Sequence, residues 1–250
     1  MTRLIRAEVL RLASARAYWL LAAGTVVLIA GGVAALAATT GASAGPSPAR
    51  SALAIAGLAQ TVALIAGALS VTSEFRHKTI VPAVLITPRR TPLLAAKLTV
   101  MVTGGLVFGL AATGAATAIA LPLLAARHVP AGITGPQAVA VIIGGGIATA
   151  VFAALGVGAG AIIRNQTGAI VAVLAVVYVA EPLLGFIPSL GPAVQRYGLG
   201  GLAAATTRTA GFPTSDHLLG PAAAVLVLAG YAAAALLAGA ALLRQRDITP

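Results

Sequence analysis

Long apolar runs separated by short polar breaks organise this chain. A bilayer core of about 30 Å is crossed by about 20 helical residues. Six runs reach that length: Ala17 to Thr39, Ser51 to Thr72, Leu93 to Ala125, Gln137 to Ile163, Thr167 to Ala180 with an apolar extension to Ile187, and Leu218 to Leu243. Prolines mark where helices begin, at Ser47-Pro48, Thr91-Pro92, Gly135-Pro136 and Gly220-Pro221. A proline in the first turn loses no hydrogen bond, and its φ is already helical. Ser47 and Thr91 are candidate caps for the free amides. The third run is too long for one crossing, since Pro92 to Ala125 makes a helix of about 51 Å. It must tilt, kink near Pro122, or project beyond the bilayer. Projection is favoured, with Lys97 snorkelling to the inner surface.

Two segments break the pattern. In residues 1–16, Arg3, Arg6, Arg11 and Arg16 face a single acid, Glu8. Ile5, Val9 and Leu12 share one helical face, which predicts an amphipathic helix lying on the membrane surface, as opposed to a plain basic flank. The adjoining run of 22 residues, Ala17 to Ala38, exceeds the apolar core of a cleaved leader, so it is expected to stay as a span. The second segment, 181–218, is apolar yet broken by repeated Pro and Gly. A single crossing helix does not survive that pattern, and irregular backbone does not sit against lipid. A pair of short re-entrant helices, or a packed cap over the outer face, resolves the conflict; an ordinary external loop is the plainer alternative. Glu181 opens this segment at the end of an apolar helix. It reads either as a pathway or gate residue, or as a partner for Arg196 or Arg208 or a ligand for a helix end.

Composition agrees with lipid as the main solvent. The chain is 59% hydrophobic and 8% charged, against about 25% charged in soluble domains. Its net charge of +11 would suit nucleic acid, but no basic run is interleaved with aromatics, so no nucleic-acid partner is expected. The charge instead orients the spans. With the N-terminus inside, 12 Lys and Arg fall on inner segments and only Arg50, Arg127, Arg196 and Arg208 on outer ones. That is the positive-inside bias, and it puts both termini in the cytoplasm.

Catalytic chemistry is hard to find. No G-x-x-x-x-G-K-[ST] phosphate loop occurs, and Gly144-Gly145-Gly146 has no lysine after it. His77, His128 and His217 lack metal-ligand spacing, and there is no cysteine. No cofactor is expected and the chain is read as non-enzymatic. Gly105 with Gly109 and Gly156 with Gly160 have the spacing of close helix contacts. In a chain so rich in Ala and Gly such pairs arise by chance, and they identify no interface by themselves.

The remaining polar island is 73–97. It holds Glu74, Arg76, Lys78, Arg89, Arg90 and Lys97, six of the charged residues in a chain with 16 basic and 5 acidic ones. Ser73 is positioned to cap a helix with Glu74 in its first turn, and Pro82 and Pro88 punctuate the residues beyond it. Phe75, Ile80 and the aliphatics near Val84 exceed what a solvated loop needs. A membrane-surface hairpin and a docking knob for a soluble partner account for them equally well. Arg164-Asn165-Gln166 forms a three-residue polar turn between spans four and five, adequately read as a solvated hairpin and also open to a cytoplasmic partner.

The island resembles a family pattern. Glu74-Phe75-Arg76-His77-Lys78-Thr79-Ile80, Thr87-Pro88-Arg89-Arg90 and Ala95-Ala96-Lys97-Leu98 are similar to the E-[FY]-R-x-x-T-I … [ST]-P-R-R … A-K-L pattern of ABC-2 type permeases, the membrane subunits of type-2 ABC transporters. Arg164 to Ala169 and Glu181-Pro182-Leu183-Leu184 resemble further stretches of bacterial members. Lys78 departs from the pattern, where many relatives carry glycine. The likeness runs over nearly the whole chain.

The resemblance implies an all-α polytopic membrane protein, a single permease domain over 1–250. It would have six transmembrane helices, an interface helix (1–16), a cytoplasmic coupling helix (within 73–92) and outer re-entrant short helices (181–218). It implies a bacterial cytoplasmic membrane protein that pairs with a second permease copy or paralogue. Separate ABC ATPase subunits would bind ATP and drive export. Glu74, Phe75, Arg76, His77, Lys78 and Thr79 would form the coupling contact, with Glu181 a candidate gate. The alternative is a stand-alone secondary transporter or membrane scaffold.

Overall fold

A computed structural model describes residues 2–39, 47–76, 90–209 and 218–245. Its elements, in order, are α1 (Thr2–Ser14), α2 (Arg16–Thr39), α3 (Pro48–Leu53), a 3₁₀ segment (Ala54–Gly57) and α4 (Leu58–Arg76). Then come α5 (Arg90–Ala126), α6 (Gly135–Ile163), α7 (Gln166–Ala175), a π-helical segment (Val176–Ala180) and α8 (Glu181–Gly185). Last are α9 (Gly191–Tyr197), α10 (Leu199–Thr207) and α11 (Pro221–Gln245). Among the described residues all regular structure is helical.

Six helices are long and apolar enough to cross a membrane: Tyr18–Thr39, Pro48–Glu74, Pro92–Ala126, Gly135–Ile163, Gln166–Gly185 and Pro221–Leu242. They make the chain a multi-pass membrane protein. Large apolar side chains lie on the outside of the bundle, among them Leu20, Val27, Val107, Val171, Leu226 and Leu237. An outer surface this rich in large apolar side chains suits a hydrocarbon surrounding.

Helix α6 is the hub. It packs against α4, α5, α7, α10 and α11, and it is the most buried of the six spans, whereas Gln166–Gly185 is largely exposed. Glycines allow the approach. A Cβ on Gly156 would lie 2.0 Å from the backbone oxygen of Leu64, and one on Gly67 2.2 Å from that of Ala153. Helices α4 and α6 therefore interlock backbone to backbone. Gly105 and Gly109 seat α5 on α6 beside Thr149, while Gly158 meets Ala235 of α11. The glycine pairs that chance alone would explain are thus the contact faces themselves. In lipid, where apolar burial drives little association, close packing of this kind holds helices together.

The prolines stand where helices start, but the side-chain caps differ from expectation. The Ser47 hydroxyl donates to the Gly132 carbonyl at 3.3 Å and caps nothing. Helix α5 begins at Arg90, so Thr91 lies inside it. At α6 the Gln137 side chain accepts from the Thr134 amide at 3.0 Å. The long third span is one helix of 37 residues that runs through Pro122.

Candidate functional site

The polar island meets the bundle at one end. There α4 finishes, α5 starts and α1 lies across both. Ile5 and Leu12 of α1 pack on a cluster that includes Val71, Val100 and Met101. This apolar seat brings the charged face of α1 onto the ends of α4 and α5. Val9, expected on the same face, is 48% exposed at its edge.

Four charges then close on one another. Lys97 Nζ lies 2.6 Å from Glu74 Oε1 and 2.8 Å from Glu8 Oε1. The Arg11 guanidinium donates to Glu74 Oε1 and, at 2.9 Å, to the Ser73 hydroxyl; it is 3.9 Å from Glu8. Lys97 is 2% exposed and Glu74 6%. Two acids and two bases balance, which is what a buried cluster requires.

This geometry corrects two expectations. Ser73 and Glu74 do not open a new helix, because α4 runs unbroken to Arg76 and places them in its last turns. Ser73 is engaged by Arg11 instead. Lys97 does not snorkel outward; it points into the protein, because two carboxylates sit within hydrogen-bond distance there. Sequence reasoning missed Glu8 and Arg11 as members of the group. The available signal was the scarcity of acids: with so few, each is expected to meet a base.

Of the residues assigned to coupling, Glu74 is thus internal. Phe75 is in the last turn of α4. Arg76 is exposed and donates to the Gln166 side chain at 3.1 Å, linking α4 to the start of α7. His77, Lys78 and Thr79 lie outside the described residues, as does the rest of the segment to 89. The turn between α6 and α7 is built by Arg164, left-handed at φ 53°, and by Asn165, whose side chain caps α7 through the Gly168 amide at 3.2 Å. Arg164 also donates to the Leu242 carbonyl at 3.4 Å, tying in the end of α11.

Glu181 lies towards the opposite end of the fifth span. Its Oε1 accepts from the Leu199 amide at 2.5 Å and its Oε2 from the Gly200 amide at 2.9 Å. The carboxylate therefore terminates α10, where the orphan amides and the helix dipole favour an anion. Of the readings open for Glu181, ligand for a helix end describes its contacts. Pro182 does not stop the chain's helical course, because the wider π turn of 176–180 leads into α8 with Pro182 in its first turn. Helix α10 is deeply buried, from Leu202 to Thr207, and Gly144 of α6 lies against its Thr206 carbonyl.

Between α3, α4, the π segment and α10 is a cavity of about 860 Å³. Gln60, Thr61 and Tyr178 line it, with Thr61 Oγ1 and Tyr178 Oη 2.8 Å apart. Gln60 went unnoticed as a lone amide in an apolar run. Among the described residues no three His, Asp or Glu side chains converge as metal ligands would. No protein-family model matches the chain, and no curated protein is significantly similar to it.

Proposed function

We propose that this chain is the membrane-spanning subunit of an ATP-driven exporter of the ABC-2 type, resident in a bacterial cytoplasmic membrane with both termini inside. The observation that carries the reading is the neutral cluster of Glu8, Arg11, Glu74 and Lys97 at the root of segment 77–89. That segment bears the motif resembling the permeases' coupling helix. The cluster ties both flanks of the segment, α4 and α5, to α1. A push on it would be passed to three helices together, with little lost in local bending.

In this reading α1 is the interface helix and 77–89 the coupling element. Glu74 sets the element's base from within. Arg76, exposed on the same turn, is offered to the ATPase together with Phe75, His77, Lys78 and Thr79. ATP is bound by the partner, which supplies the phosphate loop absent from this sequence. A second permease copy or paralogue completes the pathway, and 181–218 forms the outer re-entrant layer.

A stand-alone secondary transporter is less well supported. Ion coupling commonly uses an intramembrane acid free to change partner. Glu181 has both oxygens on backbone amides. Affinity isolation of the chain from its native membrane tests the proposal. A phosphate-loop ATPase should be recovered in stoichiometric amount. Recovery of the chain alone, with ion-driven transport by the purified protein, overturns it.

A further inference from the structure

We infer that the cavity between α4, the π segment and α10 is a binding site for an uncharged amphiphile with a hydrogen-bonding head. Its volume of about 860 Å³ lies within the range of small-molecule sites. Among the described residues, no charged side chain lines it. A charged ligand would meet no counter-ion among the described lining side chains, so net charge is selected against. Apolar walls from residues such as Phe152 and Ile55 suit a hydrocarbon portion.

Gln60 is only 6% exposed, yet its side-chain amide has no hydrogen-bond partner among the described residues. It carries both donors and an acceptor into the space. The Thr61–Tyr178 pair adds a second polar point, and either hydroxyl can turn to a ligand. Ser51, Thr113, Thr207 and Thr209 also line the cavity; Thr113 and Thr207 already donate to backbone carbonyls, and the Thr209 hydroxyl lies 2.7 Å from that of Thr207. An unmet amide beside a hydroxyl pair fits a hydroxyl, ester or amide head group.

Two helix irregularities face this space. The 3₁₀ segment 54–57 and the π segment holding Val177 and Tyr178 both contribute wall residues. Each departs from α-helical hydrogen bonding, as is common where a helix is shaped around a site. Glu181 acts at one remove. By holding the Gly200 amide it positions α10, whose inner face forms one wall. That the ligand is the exported cargo rests on the transport reading; its binding does not.

The test uses the full chain in lipid nanodiscs with no ATPase present. The probe is a diazirine-bearing monoacylglycerol, compared with diazirine fatty acid and diazirine phosphatidylcholine of equal chain length. The monoacylglycerol should label 51–61, 177–178 and 200–207 saturably, with unlabelled monoacylglycerol competing. Gln60→Leu and Tyr178→Phe should each weaken binding by about fivefold or more, with helix content and melting unchanged. Tyr178→Phe removes only an exposed hydroxyl, so it answers the question even if Gln60→Leu fails to fold. Equal labelling by the fatty acid overturns the charge selection. Equal labelling by phosphatidylcholine means that bulk lipid fills the space, and also overturns the proposal. So does unsaturable labelling, or full affinity in both variants. The chain has no native cysteine, so Ser51→Cys reports the remaining case: cross-links between two copies with loss of labelling would make the cavity a subunit contact and overturn it.

Discussion

The charged cluster can be tested by a double-mutant cycle on Glu74 and Lys97. Breaking a buried ion pair by removing one partner costs about 3–5 kcal/mol, because a charge is left uncompensated. Here the cost is softened on both sides. After Glu74→Ala, Lys97 keeps Glu8 at 2.8 Å, and the Arg11 side chain, 40% exposed, can hydrate. A loss of about 3 kcal/mol is therefore expected. Lys97→Met leaves two acids with Arg11 alone, and about 2–3 kcal/mol is expected on the same grounds. The double variant leaves Glu8 and Arg11, a neutral pair 3.9 Å apart. Its loss should be close to that of one single variant, about 3 kcal/mol, and not the sum. The assay is reversible unfolding of the purified chain in mixed micelles, titrated with SDS and followed by helix content. Additivity within about 0.5 kcal/mol would refute the cluster as a coupled unit.

Gly156→Leu forces a side chain into the Leu64 carbonyl of α4 and should cost at least about 3 kcal/mol in the same unfolding assay. Gly114→Ala meets open space inside α5 and should leave stability unchanged or raise it by up to about 1 kcal/mol; a loss equal to that of Gly156→Leu would contradict the α4–α6 interlock. Glu181→Ala removes the acceptor for two amides and should destabilise α10 locally by about 1–2 kcal/mol. Hydrogen exchange at Leu199 and Gly200 should rise about tenfold, and unchanged exchange would remove Glu181 from its capping role. On the transport reading, Arg76→Glu should reduce ATP hydrolysis by the assembled complex by at least about tenfold while leaving the isolated chain's melting unchanged. Full hydrolysis would exclude Arg76 from the coupling contact.

The spans were legible in the sequence because length and apolarity are local properties. The helix starts were legible for the same reason: Pro136 and Pro221 act through their own φ and missing amide. What misled were residues whose partners are distant along the chain. Ser73 looks like a cap beside Glu74, but its hydroxyl meets Arg11, 62 positions away. Lys97 looks like a snorkelling lysine until Glu8, 89 positions away, is beside it. The pair Gly156 and Gly160 cannot be told from chance without knowing that Leu64 and Ala68 face it. The candidate cavity was still less legible, since Gln60 and Tyr178 acquire meaning only when the π segment and the start of α4 share a wall.

In the proposed exporter, force enters at the charged end of the bundle from a separate ATPase. Photo-crosslinking in native membranes tests it most directly, with benzoylphenylalanine replacing Arg76, which is exposed at the end of α4. A single dominant adduct to a protein carrying a phosphate loop is expected. The adduct should be absent when the photo-crosslinker replaces Leu226 on the outward-facing side of α11. Adducts from position 76 to lipid alone, or to no ATPase, would contradict it.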